Sequence, residues 1–71
     1  MVEYQVGNNI KETRTQKGLT QEDLAGLTGV TRQTIISMEK GNYAPSILLA
    51  LRLAQALDCK VEEIFYVKIH S

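Results

Sequence analysis

Glycines at positions 18, 29 and 41 and the lone proline, Pro45, cut this 71-residue chain into segments roughly a dozen residues long. Segments of that length suit short helices joined by tight turns. A chain of this size holds a single domain, taken here as 1–71 with a core of about 9–65, and such a domain buries only about 60% of the surface its unfolded chain exposes. With one cysteine, no intrachain disulfide can supplement that core. Stability must come from packing, and where packing falls short, from a second copy.

The segments carry their own start signals. Thr20 followed by Asp23 has the form of a capping box, with Leu19 and Leu24 placed for a hydrophobic staple, so a helix should begin at Gln21 and run to Thr28. Gly29 supplies the positive φ that ends it, and Thr31 repeats the cap for a helix from Arg32 to Lys40. Two short helices separated by a glycine turn are the helix-turn-helix unit on spacing alone. Asn9 to Lys17 has Ile10, Thr13, Arg14 and Lys17 at helical spacing and gives a weakly amphipathic first helix. Ser46 caps a fourth, Ile47 to Leu57, whose Ile47, Leu49, Ala50, Leu53, Ala54 and Leu57 make a broad apolar face. Asp58 tolerates the left-handed turn before a last short helix, Val61 to Ile64. The ends break the pattern: Val2, Tyr4 and Val6, and again Phe65, Val67 and Ile69, alternate with other residues, so 1–6 and 65–70 are candidate strands.

Eight basic residues balance eight acidic ones, which excludes the overall cationic pull of a histone-like or membrane-surface protein. Any binding of nucleic acid must then rest on local charge. The longest apolar run, Ile47 to Leu51, is too short to span a membrane, and Met1-Val2-Glu3-Tyr4 is not a signal-peptide start. A reduced, cytoplasmic setting is the expectation.

Gly18-Leu19-Thr20-Gln21-Glu22-Asp23-Leu24-Ala25, Gly29-Val30-Thr31-Arg32-Gln33-Thr34-Ile35 and Met38-Glu39-Lys40-Gly41 together resemble the phage-repressor-like (Cro/Xre-type) helix-turn-helix regulators. The likeness runs from about Ile10 to Phe65. It implies an all-α, compact five-helix domain, with short terminal strands as an addition of this chain, that binds operator DNA as a dimer, more in keeping with repression than activation. It also implies that Arg32, Gln33 and Ser37 occupy base-contact positions, that Lys40, Asn42 and Tyr43 contact the DNA backbone, and that Arg14 pairs with Glu39. No cofactor is implied, and so short a chain leaves no room for a separate ligand-sensing domain.

A helical wheel supports part of this independently. Ile35 and Met38 fall on one side of the third helix, and Arg32, Gln33, Ile36, Ser37 and Lys40 on the other. Arg forks onto guanine, Gln pairs with adenine, and an apolar side chain touches a thymine methyl. Ile36 enters the base-contact set on the wheel alone, and an exposed or dimer-facing role fits it equally well. Gln21, at the start of the second helix, is placed to present backbone N–H groups to a phosphate, although for Gln21 and Asn42 a plain solvated cap is the competing account. Residues 11 to 42 carry a net charge of only +1, so non-specific affinity should be weak.

The remaining polar residues suggest no chemistry. Cys59 precedes the last helix where a staple to Ile64 makes it a small hydrophobe, and His70, expected to be solvated, has no companion at metal-ligand or catalytic spacing. Neither a metal site nor an enzyme is expected. Thr13 and Thr28 stand where the family packs leucine, so their hydroxyls must bond to carbonyls one turn back or to each other; Lys60 replaces a serine cap. Leu48 and Leu51, edged by Arg52 and Gln55, form an apolar strip that a monomer leaves wet. With Phe65, Val67 and Ile69 of the tail, and with the terminal strands paired either within or between chains, they are the expected homodimer interface. The competing functional class is an antitoxin-like protein-interaction module whose DNA face is secondary.

Overall fold

A computed structural model describes residues 2–70, the last by its backbone alone. The elements run β1 (Glu3–Asn8), α1 (Ile10–Gln16), α2 (Gln21–Thr28), α3 (Arg32–Glu39), α4 (Ile47–Ala56), α5 (Val61–Ile64) and β2 (Phe65–His70). The five helices lie within a residue of the expected bounds; the all-α class holds only roughly, because the two terminal strands expected at the ends pair into a two-stranded antiparallel sheet that brings the two ends of the chain together.

Local chemistry sets the helix starts. Thr20 Oγ1 accepts the Asp23 N–H at 3.0 Å while Asp23 Oδ2 accepts the Thr20 N–H at 2.9 Å, a complete capping box. The Thr20 backbone N–H, with the Thr20 hydroxyl adding to it, favours the ionised Asp23 carboxyl and holds it below its ordinary value of 3.8. Thr31 and Ser46 each accept one N–H at the heads of α3 and α4, from Thr34 and Leu49. At α5 the Lys60 side chain makes no cap bond, and only the returning half survives, the Lys60 N–H donating to Glu63 Oε1.

Helix ends share one device. A residue with positive φ (Gly18, Gly29, Gly41 or Asp58) turns the chain so that the next N–H reaches back five residues to a carbonyl: Leu19 to Arg14, Val30 to Ala25, Asn42 to Ser37 and Cys59 to Ala54.

The core is Ile10, Leu24, Ile35, Met38, Leu53, Leu57 and Ile64, all fully buried, with Ala25, Leu49 and Ala54 nearly so. Each large side chain so removed from water contributes about 1.5 to 3 kcal/mol. Ile47 is the exception to the apolar face read for α4: at the first position of the helix it is 82% exposed. Thr28 donates its hydroxyl to the Leu24 carbonyl at 2.8 Å, as its buried position requires, whereas Thr13 is only half-buried. Cys59 packs half-buried against the core, and burial pushes its thiol up, with the Glu63 carboxylate adding to the effect.

In the ribbon, Tyr4 faces Ile69, Val6 faces Val67 and Asn8 faces Phe65 on one side, with Gln5 opposite Lys68 and Gly7 opposite Tyr66 on the other. β1 thus runs two residues beyond the expected 1–6. Gly7 permits this because the Tyr66 ring lies across it: a Cβ at Gly7 would fall 2.6 Å from Tyr66 Cζ. Asn8 ties the ribbon to the helices, its Nδ2 donating to the Met38 carbonyl at 2.9 Å and its Oδ1 accepting the Ile10 N–H.

Candidate nucleic-acid interface

α3 is clamped from behind. Arg14 Nε donates to Glu39 Oε2 at 2.7 Å, its Nη2 to Oε1 at 3.3 Å, and its Nη1 to the Leu19 carbonyl at 2.9 Å. Gln21 Nε2 completes the cluster by donating to Glu39 Oε1 at 3.0 Å. The two charged side chains are 9% and 5% exposed, so the pair is buried, and each of the three guanidinium nitrogens donates to an acceptor. One carboxylate therefore joins α1, α2 and α3, and the only acid on the third helix is neutralised beside Lys40.

The opposite face of α3 is open. Arg32 and Gln33, in its first turn, are exposed and make no side-chain bond to other described residues. Ile36 and Ser37 are half-buried and Lys40 is exposed. Ile35 and Met38 are fully buried, so the division made on the wheel is the one the packing has. A forked donor, Arg32, and an amide that both donates and accepts, Gln33, sit at the head of a helix braced from behind, which is the chemistry that base edges in a major groove require.

Around this face, the capping box of α2 consumes the Thr20 and Asp23 N–H groups and leaves those of Gln21 and Glu22 outward without a partner among the described residues. The Gln21 side chain, by contrast, is turned inward to Glu39, so only its backbone is free for an anion. After α3, Gly41 at φ 83° and the Asn42 N–H to Ser37 carbonyl bond of 2.9 Å swing the chain so that Asn42 and Tyr43 are exposed next to β1.

The expected assembly residues divide. Leu48 and Leu51 are exposed beside a groove of α4 and α5, and Val67 and Ile69 are exposed on the ribbon with Tyr4 and Val6. Phe65 does not join them: it lies half-buried against the chain's own core, because it is the first ribbon residue after α5. Arg52, read as the polar edge of the α4 strip, reaches instead toward the carbonyl of Thr28 at 3.4 Å, close over Gly29. Nothing in the local sequence marks that contact. Among the described residues no group of His, Cys, Asp and Glu is arranged to hold a metal, and no helix is long and apolar enough to cross a membrane; the His70 side chain lies outside the described residues.

A helix-turn-helix family model matches residues 10–64, from the first helix to the last. The chain belongs to the Cro/Xre-type helix-turn-helix family. It is 46% identical over 61 residues to the HTH-type transcriptional regulator YgzD of Bacillus subtilis, covering 86% of this chain and 92% of that one. It is 58% identical over 57 residues to an HTH-type transcriptional regulator of Methanothermobacter thermautotrophicus, covering 79% and 83%. Among solved structures, the restriction-modification controller protein C.AhdI of Aeromonas hydrophila superposes with a TM-score of 0.73 at 42% identity, covering 76% of this chain and 82% of that one. The protein is a DNA-binding member of a transcription-regulator family whose relatives are named as regulators rather than enzymes.

Proposed function

We propose that the chain represses transcription by binding a two-fold symmetric operator as a homodimer, in the cytoplasm where its DNA lies, without a cofactor. The observation that carries this reading is the pair Arg32 and Gln33, exposed and unbonded at the head of α3, with the Arg14–Glu39–Gln21 cluster bracing the helix behind them. In the proposal Arg32, Gln33 and Ser37 read base edges and Ile36 touches a methyl. Lys40, Asn42, Tyr43 and the head of α2 at Gln21 hold the backbone. Leu48, Leu51, Val67 and Ile69 face the partner and set two copies of α3 about 34 Å apart. That the relative from Aeromonas is a controller protein supports regulation as the role.

Selection of bound duplex from a random pool tests this. An enriched two-fold symmetric motif is expected, and on it Arg32→Ala should lose about 1 to 3 kcal/mol of discrimination. Equal losses for Arg32→Ala on selected and random duplex would overturn the assignment. The apolar groove of Leu48, Leu51, Ala54 and Val61 favours a second reading, an antitoxin-like module that docks one protein partner there. Selection that enriches no motif, together with a stoichiometric protein partner lost on Leu51→Glu, would favour it.

A further inference from the structure

The ribbon has two unlike faces, and the polar one is turned toward the end of α3. Cross-strand register puts Gln5, Lys68 and Tyr66 on a single side, and these three line one groove of about 290 Å³ with Lys40 and Gly41. Lys40 and Lys68 therefore converge from different elements. Neither makes an ion pair or side-chain hydrogen bond among the described residues, where Arg14–Glu39 is the only salt bridge.

Two ordinary accounts of paired lysines at such a place are weak here. Cations gather at helix C-termini to satisfy carbonyls, but the Ile36, Ser37 and Met38 carbonyls already accept from the Lys40, Asn42 and Gly41 N–H groups, and Met38 from Asn8 as well. Lysines also gather round a free acid, but Glu39, which borders the groove, is already engaged by Arg14 and Gln21. Glu3, the diagonal neighbour of Lys68 on the same face at the outer end of the ribbon, makes no ion pair with it. The Tyr66 ring lies against Gly7 and lines the same groove, which places its hydroxyl there as a further donor.

We infer that the polar face of the ribbon is a second backbone-binding surface for duplex DNA, in which Lys68 and Tyr66 continue the phosphate contact that Lys40 begins. It rests on the reading of α3 as the DNA-reading helix and adds to it residues outside the matched family segment 10–64. Phosphate oxygens accept from ammonium, phenol and amide alike, and a backbone contact of this kind strengthens binding to every sequence without choosing among them.

The salt dependence of binding to labelled random-sequence duplex DNA tests it on the full chain, for wild type, Lys68→Ala, Tyr66→Phe and Lys60→Ala. Lys60 carries the same charge but lies beside α5, away from this groove and on the edge of the Leu48–Leu51 groove, so the oligomer mass of Lys60→Ala is measured alongside. Lys68→Ala should reduce the slope of log K against log salt by about 0.9 per protomer, while Lys60→Ala leaves it unchanged. Tyr66→Phe keeps the ring over Gly7 and should weaken binding several-fold at constant slope. Wild-type binding with an unaltered slope for Lys68→Ala overturns the inference and spares the function. Wild type that binds no duplex overturns both. A reduced slope accompanied by a lower oligomer mass in sedimentation also overturns it, since Lys68 would then act through assembly.

Discussion

The helical body and the terminal ribbon hold their shapes by different means. In the body, the starts of α2, α3 and α4 are set locally by Thr20 with Asp23, by Thr31 and by Ser46, the ends of α1 to α4 by positive-φ turns, and the pieces are then locked by a buried core and one ion pair. The ribbon pairs residues from opposite ends of the chain, leaves Tyr4, Val6, Val67 and Ile69 exposed, and is joined to the body through Asn8, Phe65 and the bond from the Asn9 N–H to the Ile64 carbonyl. Isolated two-stranded ribbons are marginal in water. The body should therefore unfold as one unit while the ribbon opens on its own at lower cost.

The largest test of that contrast removes the lock. Arg14→Ala leaves Glu39 buried without its partner and should cost about 3 to 5 kcal/mol in urea unfolding, whereas Arg14→Met with Glu39→Met should cost much less. A double-mutant coupling near zero would mean that the pair holds nothing together. Two glycines give the next test. Gly7→Ala pushes the far end of the exposed Tyr66 ring off the strand and should cost no more than about 1 kcal/mol, seen as faster hydrogen exchange at ribbon amides with those of α2 and α3 unchanged. Gly26→Ala, in the exposed middle of α2 where an added Cβ meets nothing within 4 Å, should instead stabilise the body by about 1 kcal/mol. Loss of protection in α2 on Gly7→Ala would show that the two regions are one cooperative unit.

The smallest effect is a pH dependence. Because the folded Asp23 carboxyl titrates below 3.8, the cap contributes stability above that value and loses it as pH falls through 3.8 to the folded pKa. The difference in Tm between wild type and Asp23→Asn should therefore be greatest near neutrality and shrink at lower pH. A constant difference would place the Asp23 contribution outside its charge.

What could be seen beforehand follows the same division. Cap boxes, turn glycines, the αL residue Asp58 and the buried side of α3 are short-range statements, and the helix ends agree with them to within a residue. The Thr28 hydroxyl was equally legible, since a buried hydroxyl on a helix has few partners but the carbonyl one turn back. Contacts between elements were not. Gln21 turning to Glu39, Arg52 reaching Thr28 and Asn8 holding Met38 each depend on how two helices, or a strand and a helix, come to lie together, and no spacing within one element encodes that. Phe65 shows the same limit: alternation groups it with Val67 and Ile69, while nearness to α5 lays it against the core. At the interface, the wheel separated the open face of α3 from the packed one, while the groove shared by Lys40, Tyr66 and Lys68 needed the ribbon's register.

Register also decides how the molecule responds to load. Glu3 pairs with His70 at the outer end of the ribbon, so any polypeptide continuing from either end leaves at the same tip. Tension between two such extensions would peel the strands apart one pair at a time, each bond yielding alone, instead of sliding them past each other with all bonds strained together. The ribbon is thus a mechanical fuse: pulled by its ends, the chain would unzip as far as Asn8 and Phe65 before any force reached the helices that carry Arg32 and Gln33.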